Sequence, residues 1–251
     1  MKLEPDSSLV TAVHASPNLE ERCNGWRPSM VILHYTGMSS AEGAIGWLAN
    51  PESGVSCHYV VDEAGVITQM VREAARAWHA GASRWHGECD VNSMSIGIEI
   101  QNPGHERGYP DFPLPQMQAV AALCRDIAAR NRILPQRFLA HSDIAPGRKI
   151  DPGEKFDWAY LAREGVGHWV APSADMSAPC GDDASMLAEA MELLQAYGYG
   201  VDNAGRDDWP KALVRAFQMH FRPARADGVM DAGTLDTLRR LVSALPEPVV
   251  A

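Results

Sequence analysis

Ser95-Ile96-Gly97-Ile98-Glu99-Ile100 alternates, with the isoleucines on one face and Gly97 and Glu99 on the other, which is the two-residue period of a strand. The period then changes. Across residues 116–130, Met117, Val120, Leu123, Cys124 and Ile127 form the stripe of an amphipathic helix, entered through Pro113 and Pro115. Phe138-Leu139-Ala140-His141 follows as a short strand ending in a histidine. Upstream, Val31-Ile32-Leu33-His34 is apolar, β-branched and bounded by turn formers, as a buried strand requires. Residues 39–49 read as a helix capped by Ser39 or Ser40, with Ile45 and Leu48 on one face. Tyr59-Val60-Val61 and Val66-Ile67-Thr68-Gln69-Met70 flank Asp62-Glu63-Ala64-Gly65, a hairpin with Gly65 in the turn. Asp157 caps a last helix through Tyr160 and Leu161. Strands alternating with helices define an α/β core.

Residues 167–184 break this pattern with Pro172, Ser173, Ser177, Pro179 and Gly181, the composition of a linker. Beyond them, residues 186–197, 210–221 and 232–241 have helical patterns and no strand pattern intervenes. Pro210 suits a first helical turn, and Asp231 with Thr234 suits a helix start. The expected organisation is therefore a first domain over 1–166, a linker over 167–184 and a small three-helix domain over 185–251.

A chain of 251 residues with 46% hydrophobic content suffices for one sizeable core plus a small second unit. No run of 18 apolar residues occurs, so no membrane-spanning helix is expected. The formal charge of −10 argues against non-specific binding to nucleic acid or anionic membranes. Cys23, Cys57, Cys89, Cys124 and Cys180 are odd in number and form no Cys-x-x-Cys pair. Most are expected to be small buried hydrophobes rather than disulfides or a zinc knuckle. Met1-Lys2-Leu3-Glu4-Pro5-Asp6 has no apolar core of a secretory leader. That leaves three expectations: retention inside the cell, export without a leader, or a leader not contained in this sequence.

His34 closes the first apolar strand, His141 closes another, and Asp151 lies ten positions after His141. Two imidazoles and a carboxylate form a three-ligand zinc set with the fourth position open, the pattern of a catalytic site. Calcium and magnesium prefer an oxygen-rich site. Lys149, two residues before Asp151, projects to the same side in an extended segment and so toward the metal; Arg148 points elsewhere. Glu99, on the polar face of its strand, is the candidate general base. The sequence has no His-Glu-x-x-His helix, no Gly-x-Ser-x-Gly elbow and no phosphate-binding loop.

His34-Tyr35-Thr36, Trp78-His79-Ala80-Gly81, Ser95-Ile96-Gly97-Ile98-Glu99 and Gly147-Arg148-Lys149-Ile150-Asp151-Pro152-Gly153 occur in this order. In these motifs, from about residue 25 to about residue 165, the chain resembles the type-2 amidases. These are zinc N-acetylmuramoyl-L-alanine amidases of the AmpD-like group, whose fold is shared with peptidoglycan-recognition proteins. The resemblance implies a mixed central sheet flanked by helices. It implies zinc held by His34, His141 and Asp151, and hydrolysis of the amide between N-acetylmuramic acid, including its 1,6-anhydro form, and L-alanine of the stem peptide. It assigns the base role to Glu99, a substrate-contacting place in the cleft to His79 and an aromatic place near the metal to Tyr59; by its spacing Lys149 is expected to stabilise the oxyanion, and by its side chain Asn102 to bond a substrate amide or sugar.

The tail resembles a peptidoglycan-binding helical domain in Leu194-Gln195, Tyr197-Gly198-Tyr199, Ala216-Phe217-Gln218 and Asp227-Gly228-Val229-Met230-Asp231 with Thr234. The implied partners are peptidoglycan and muropeptides, and the implied location is the periplasm or cell envelope, with the cytoplasm as alternative. The rival expectation is a protein of this fold that binds peptidoglycan without cutting it. His14, His86, His105, His168 and His220 have no partner spacing that marks them and are read as structural.

Overall fold

Six strands form the central sheet of the computed structural model, which describes residues 3–173, 183–202 and 207–246. They are β1 (Ala12–Val13), β3 (Met30–Tyr35), β4 (Tyr59–Val61), β5 (Ile67–Gln69), β7 (Ser95–Ile100) and β8 (Phe138–Ala140). Their order is β1-β5-β4-β7-β3-β8. All neighbours are parallel except β4 and β5, the antiparallel hairpin closed through Gly65. The two remaining strands, β2 (Leu19–Glu21) and β6 (Ala75–Ala77), pair antiparallel beside this sheet. The sheet is thus mixed, in an α/β arrangement.

A largely parallel sheet must be covered on both faces. Val31, Leu33, Ile96, Ile98 and Ile100 pack on one side with Met117, Val120 and Leu123 of α3 (Leu114–Asn131). The alternate residues Met30, Ile32 and Leu139 enter a second core. That core is completed by α6 (Asp183–Tyr197), α7 (Trp209–Phe221) and α8 (Ala232–Ser243), through Leu194, Leu213, Phe217 and Leu238 among others. The three C-terminal helices are therefore the cover of the sheet's second face.

Local chemistry sets the element ends. Ser40 caps α1 (Ala41–Leu48) by accepting from Gly43 N–H, Asp157 caps α5 (Trp158–Arg163) through Tyr160 N–H, and Asp231 caps α8 through Thr234 N–H. Two very short helices adjoin strands: α2 (Val91–Met94) precedes β7, and α4 (His141–Ile144) follows β8.

Two expectations need correction. Cys57 and Cys124 are buried, but Cys23 and Cys89 are exposed, so burial does not hold for most of the described cysteines; Cys180 lies outside the described residues. At the start of the expected linker, Trp169 packs against both cores, Ser173 N–H donates to Thr237 Oγ1, and Ala171 O accepts from Arg240. Residues 167–173 are thus laid against the body of the protein, while residues 174–182 lie outside the described residues. Among the described residues no helix is long and apolar enough to cross a membrane.

Candidate metal centre

The register of β3 against β7 places His34 directly beside Glu99, and Ile32 beside Gly97. All four share the face opposite α3, because their strand neighbours Leu33 and Ile98 enter that helix's core. β8 ends one residue before His141, which opens α4 at the adjacent strand end. Ser142 N–H in α4 donates to the Asp151 carbonyl at 3.0 Å and so draws the third residue in. His34 Nδ1 lies 2.9 Å from His141 Nδ1 and 3.1 Å from Asp151 Oδ2; His141 Nδ1 lies 3.0 Å from the same oxygen. All three residues are buried.

The outer hydrogen bonds decide which nitrogens carry lone pairs. Ser95 Oγ donates to Val91 O at 2.7 Å, so it accepts from His79 Nε2 at 3.2 Å. Burial, followed by the neighbouring histidines, holds the His79 pKa well below the usual histidine value, so the ring is neutral and its Nδ1 accepts. The donor facing that atom is His34 Nε2, at 3.0 Å. Burial, reinforced by His141, lowers the His34 pKa to about 4, leaving a lone pair on Nδ1. His141 Nε2 donates to Ala80 O at 3.0 Å, which turns Nδ1 toward the other two residues. Two ring nitrogens and a carboxylate oxygen thus face one another in a buried site, a donor set that could hold a metal ion. A nitrogen-rich, three-donor set fits zinc.

These groups line a cavity of about 530 Å³ together with Glu99, Lys149 and His79. Glu99 Oε2 is buried with no hydrogen-bond partner among the described residues. Burial, and secondarily the charge of Asp151, pushes its pKa well above the usual glutamate value, while Lys149 opposes the shift. The side walls carry Trp47, Tyr35, Trp78 and His105, which sequence reading did not place at a cleft. Trp47 is half exposed on α1, and an exposed tryptophan on an amphipathic helix was the available signal.

Other expected site residues lie elsewhere. Tyr59 is fully buried and its hydroxyl donates to Glu73 Oε1 at 2.7 Å, so it belongs to the sheet core rather than the cavity. Asn102 is buried and bonds Pro110 O and Gly104 N–H, shaping the loop after β7. His79 does line the cavity, but both ring nitrogens are engaged by His34 and Ser95, so its place is behind a metal ligand. Arg148 reaches Ala80 O at 2.6 Å, the carbonyl that also holds His141. His105 bridges Tyr35 and Glu154 at the cavity wall, and His220 is buried against Asp143.

A mixed sheet presenting two histidines, an aspartate and a glutamate with one buried, unpartnered oxygen to a cavity has a possible metal donor set beside a candidate base. Residues 24–154 match the family model Amidase_2, N-acetylmuramoyl-L-alanine amidase. The chain is 36% identical over 225 residues to N-acetylmuramoyl-L-alanine amidase AmiD of Escherichia coli K12, covering 83% of this chain and 80% of that protein. Its fold matches a solved complex of E. coli AmiD with anhydro-N-acetylmuramic acid-L-Ala-D-gamma-Glu-L-Lys, with a TM-score of 0.75, 35% identity and 91% and 90% of the two chains covered. It also matches AmpDh3 of Pseudomonas aeruginosa in complex with anhydromuramic pentapeptide, with a TM-score of 0.73, 31% identity and 88% and 93% covered. The chain belongs to the N-acetylmuramoyl-L-alanine amidase family.

Proposed function

We propose that this protein is a zinc-dependent hydrolase cleaving the amide between the lactyl group of N-acetylmuramic acid, including the 1,6-anhydro form, and L-alanine of peptidoglycan stem peptides. The observation that carries the zinc reading is the convergence of the His34 and His141 ring nitrogens on the Asp151 carboxylate. The anhydromuropeptides bound by the two structural relatives support the substrate class.

Zinc, when held by His34, His141 and Asp151, supplies a Lewis acid that acidifies water and polarises the scissile carbonyl. Glu99 takes a proton from the attacking water as its oxygen bonds the carbonyl carbon. It then delivers that proton to the amide nitrogen as the C–N bond breaks. The products are the lactyl carboxylate and the free amino terminus of the stem peptide. A carboxylate with a raised pKa suits both halves of this exchange. Lys149 lines the same cavity, and its charge acts on Glu99 and His34. Its ammonium would stabilise negative charge developing on the carbonyl oxygen. A polymeric substrate accords with a wall-binding helical unit and a periplasmic or envelope location.

The test is mass spectrometry of purified muropeptides with intact and 1,6-anhydro ends, with zinc and after chelation. Stem peptide is expected only with metal. Glu99→Gln is expected to lower the rate by roughly 10²–10⁴ while retaining zinc. Muropeptide binding with no release under any condition would overturn the hydrolase reading.

A further inference from the structure

Asp143 is completely buried, two residues past His141 in the four-residue helix α4. Its Oδ2 accepts from Ala140 N–H at 2.8 Å, at the turn where β8 becomes α4. The same oxygen lies 2.6 Å from His220 Nδ1, and Oδ1 accepts from the Tyr199 hydroxyl at 2.6 Å. His220 lies on α7 and Tyr199 just beyond α6, so two of these three donors come from the C-terminal helical unit. Neither donor is free to wander. The His220 ring stacks on Trp158 at 3.7 Å and on Phe221 at 3.8 Å, and Tyr199 is buried edge-on to Trp85.

We propose that His220 and Tyr199 are positioning residues for the metal centre, acting through Asp143 on the helix that carries His141. A single turn of helix has too few internal hydrogen bonds to hold itself. α4 nevertheless places two of the three ligands: His141 directly, and Asp151 through the Ser142 N–H. His34 stands on β3, paired on both sides by β7 and β8, and has its own support in His79. Removing a donor from the helical unit leaves a buried carboxylate short of partners. α4 then relaxes against β3, and the His141–His34 geometry that receives the metal loosens. The helical unit is thereby a structural member of the metal site, whatever else it binds.

This inference rests on the reading of His34, His141 and Asp151 as zinc ligands. The test uses the full chain as wild type, Tyr199→Phe, His220→Ala and His220→Asn, which keeps an N–H donor. Phe217→Leu is the control, since Phe217 is buried in the same core without bonding Asp143. The readout is the zinc dissociation constant by chelator competition, at a temperature where circular dichroism shows every variant folded. Zinc is expected to weaken about tenfold in Tyr199→Phe and up to about a hundredfold in His220→Ala. Recovery toward wild type is expected in His220→Asn. Phe217→Leu should lower the melting temperature and leave the zinc constant unchanged. Should His220→Ala fail to fold, Tyr199→Phe alone decides. An unchanged zinc constant in Tyr199→Phe overturns the inference and leaves the contacts as docking only. A wild type that binds no zinc overturns the ligand reading itself.

Discussion

Gly97 shows how a single missing side chain builds the site. A Cβ there would lie 2.4 Å from His79 Cγ, far inside contact distance. The bare strand surface lets the His79 ring lie over β7 and reach both His34 Nε2 and Ser95 Oγ. Gly97→Ala is therefore expected to cost about 1–3 kcal/mol of stability through overpacking. It should also weaken zinc binding roughly tenfold, because His34 loses its outer partner. Thermal unfolding and chelator competition check the two effects separately; a variant matching wild type in both would show that His79 has room to spare. The sequence made His34, His141 and Asp151 legible because strand ends and spacing mark them. It placed Gly97 on the correct face beside Glu99. It did not show why glycine is needed there, since the reason is a ring from a different loop. The same blindness sent Tyr59 and Asn102 to the site: motif neighbourhood was readable, but the direction of a buried hydroxyl toward Glu73 was not.

Elements with a long period, or with an apolar run beside turn residues, were readable, and short strands with neither were not. β3, β7 and α3 repeat their patterns several times, whereas β1 has two residues and β2 and β6 three each. Three residues cannot display alternation, and Leu19-Glu20-Glu21 and Ala75-Arg76-Ala77 lack the apolar run that marked the equally short β4 and β8. The arm around β2 nonetheless matters to the site through Arg22. Its buried guanidinium donates to the backbone carbonyls of Glu73, Asn92, Ser93 and Ser95. Burial is also what lowers its pKa, to about 10, so the group remains charged at neutral pH. Asn92, held in this way, accepts from the backbone N–H groups of His79 and Ala80 through its Oδ1. Those two residues are the outer partners of His34 and His141. Arg22→Met should destabilise the protein by about 3 kcal/mol or more, because several buried carbonyls lose their donor together. Arg22→Lys is expected to recover little, since a compact ammonium cannot span carbonyls arranged for a planar fork. Denaturant midpoints measure this, and a Lys variant as stable as wild type would show that charge alone suffices.

At the scale of the whole molecule, composition divided the chain into two units but was silent on how they meet. An apolar helical stripe reads the same whether it faces its own bundle or a neighbouring sheet. Here it does both: Leu213 and Phe217 join a core that also contains Met30, Ile32 and Leu139 of the sheet. Those three sheet residues are at most 1% exposed, and each side chain of this size contributes about 1.5–3 kcal/mol when removed from water. A chain ending at residue 166 would expose that face and strip Asp143 of two of its three hydrogen-bond donors. Tethering alone predicts the opposite: a catalytic unit that folds unaided and loses only local substrate concentration. The truncated chain is expected to aggregate or to elute as a mixture on size exclusion, with a broadened thermal transition. Replacing Ile32 and Leu139 by Thr and Gln in that truncated chain should improve its solubility without restoring zinc affinity, since covering the face and holding α4 are separate services of the same helices. A monodisperse, cooperatively unfolding 1–166 fragment with full zinc affinity would mean that the sheet carries its own second face, and that the helical unit is an appendage.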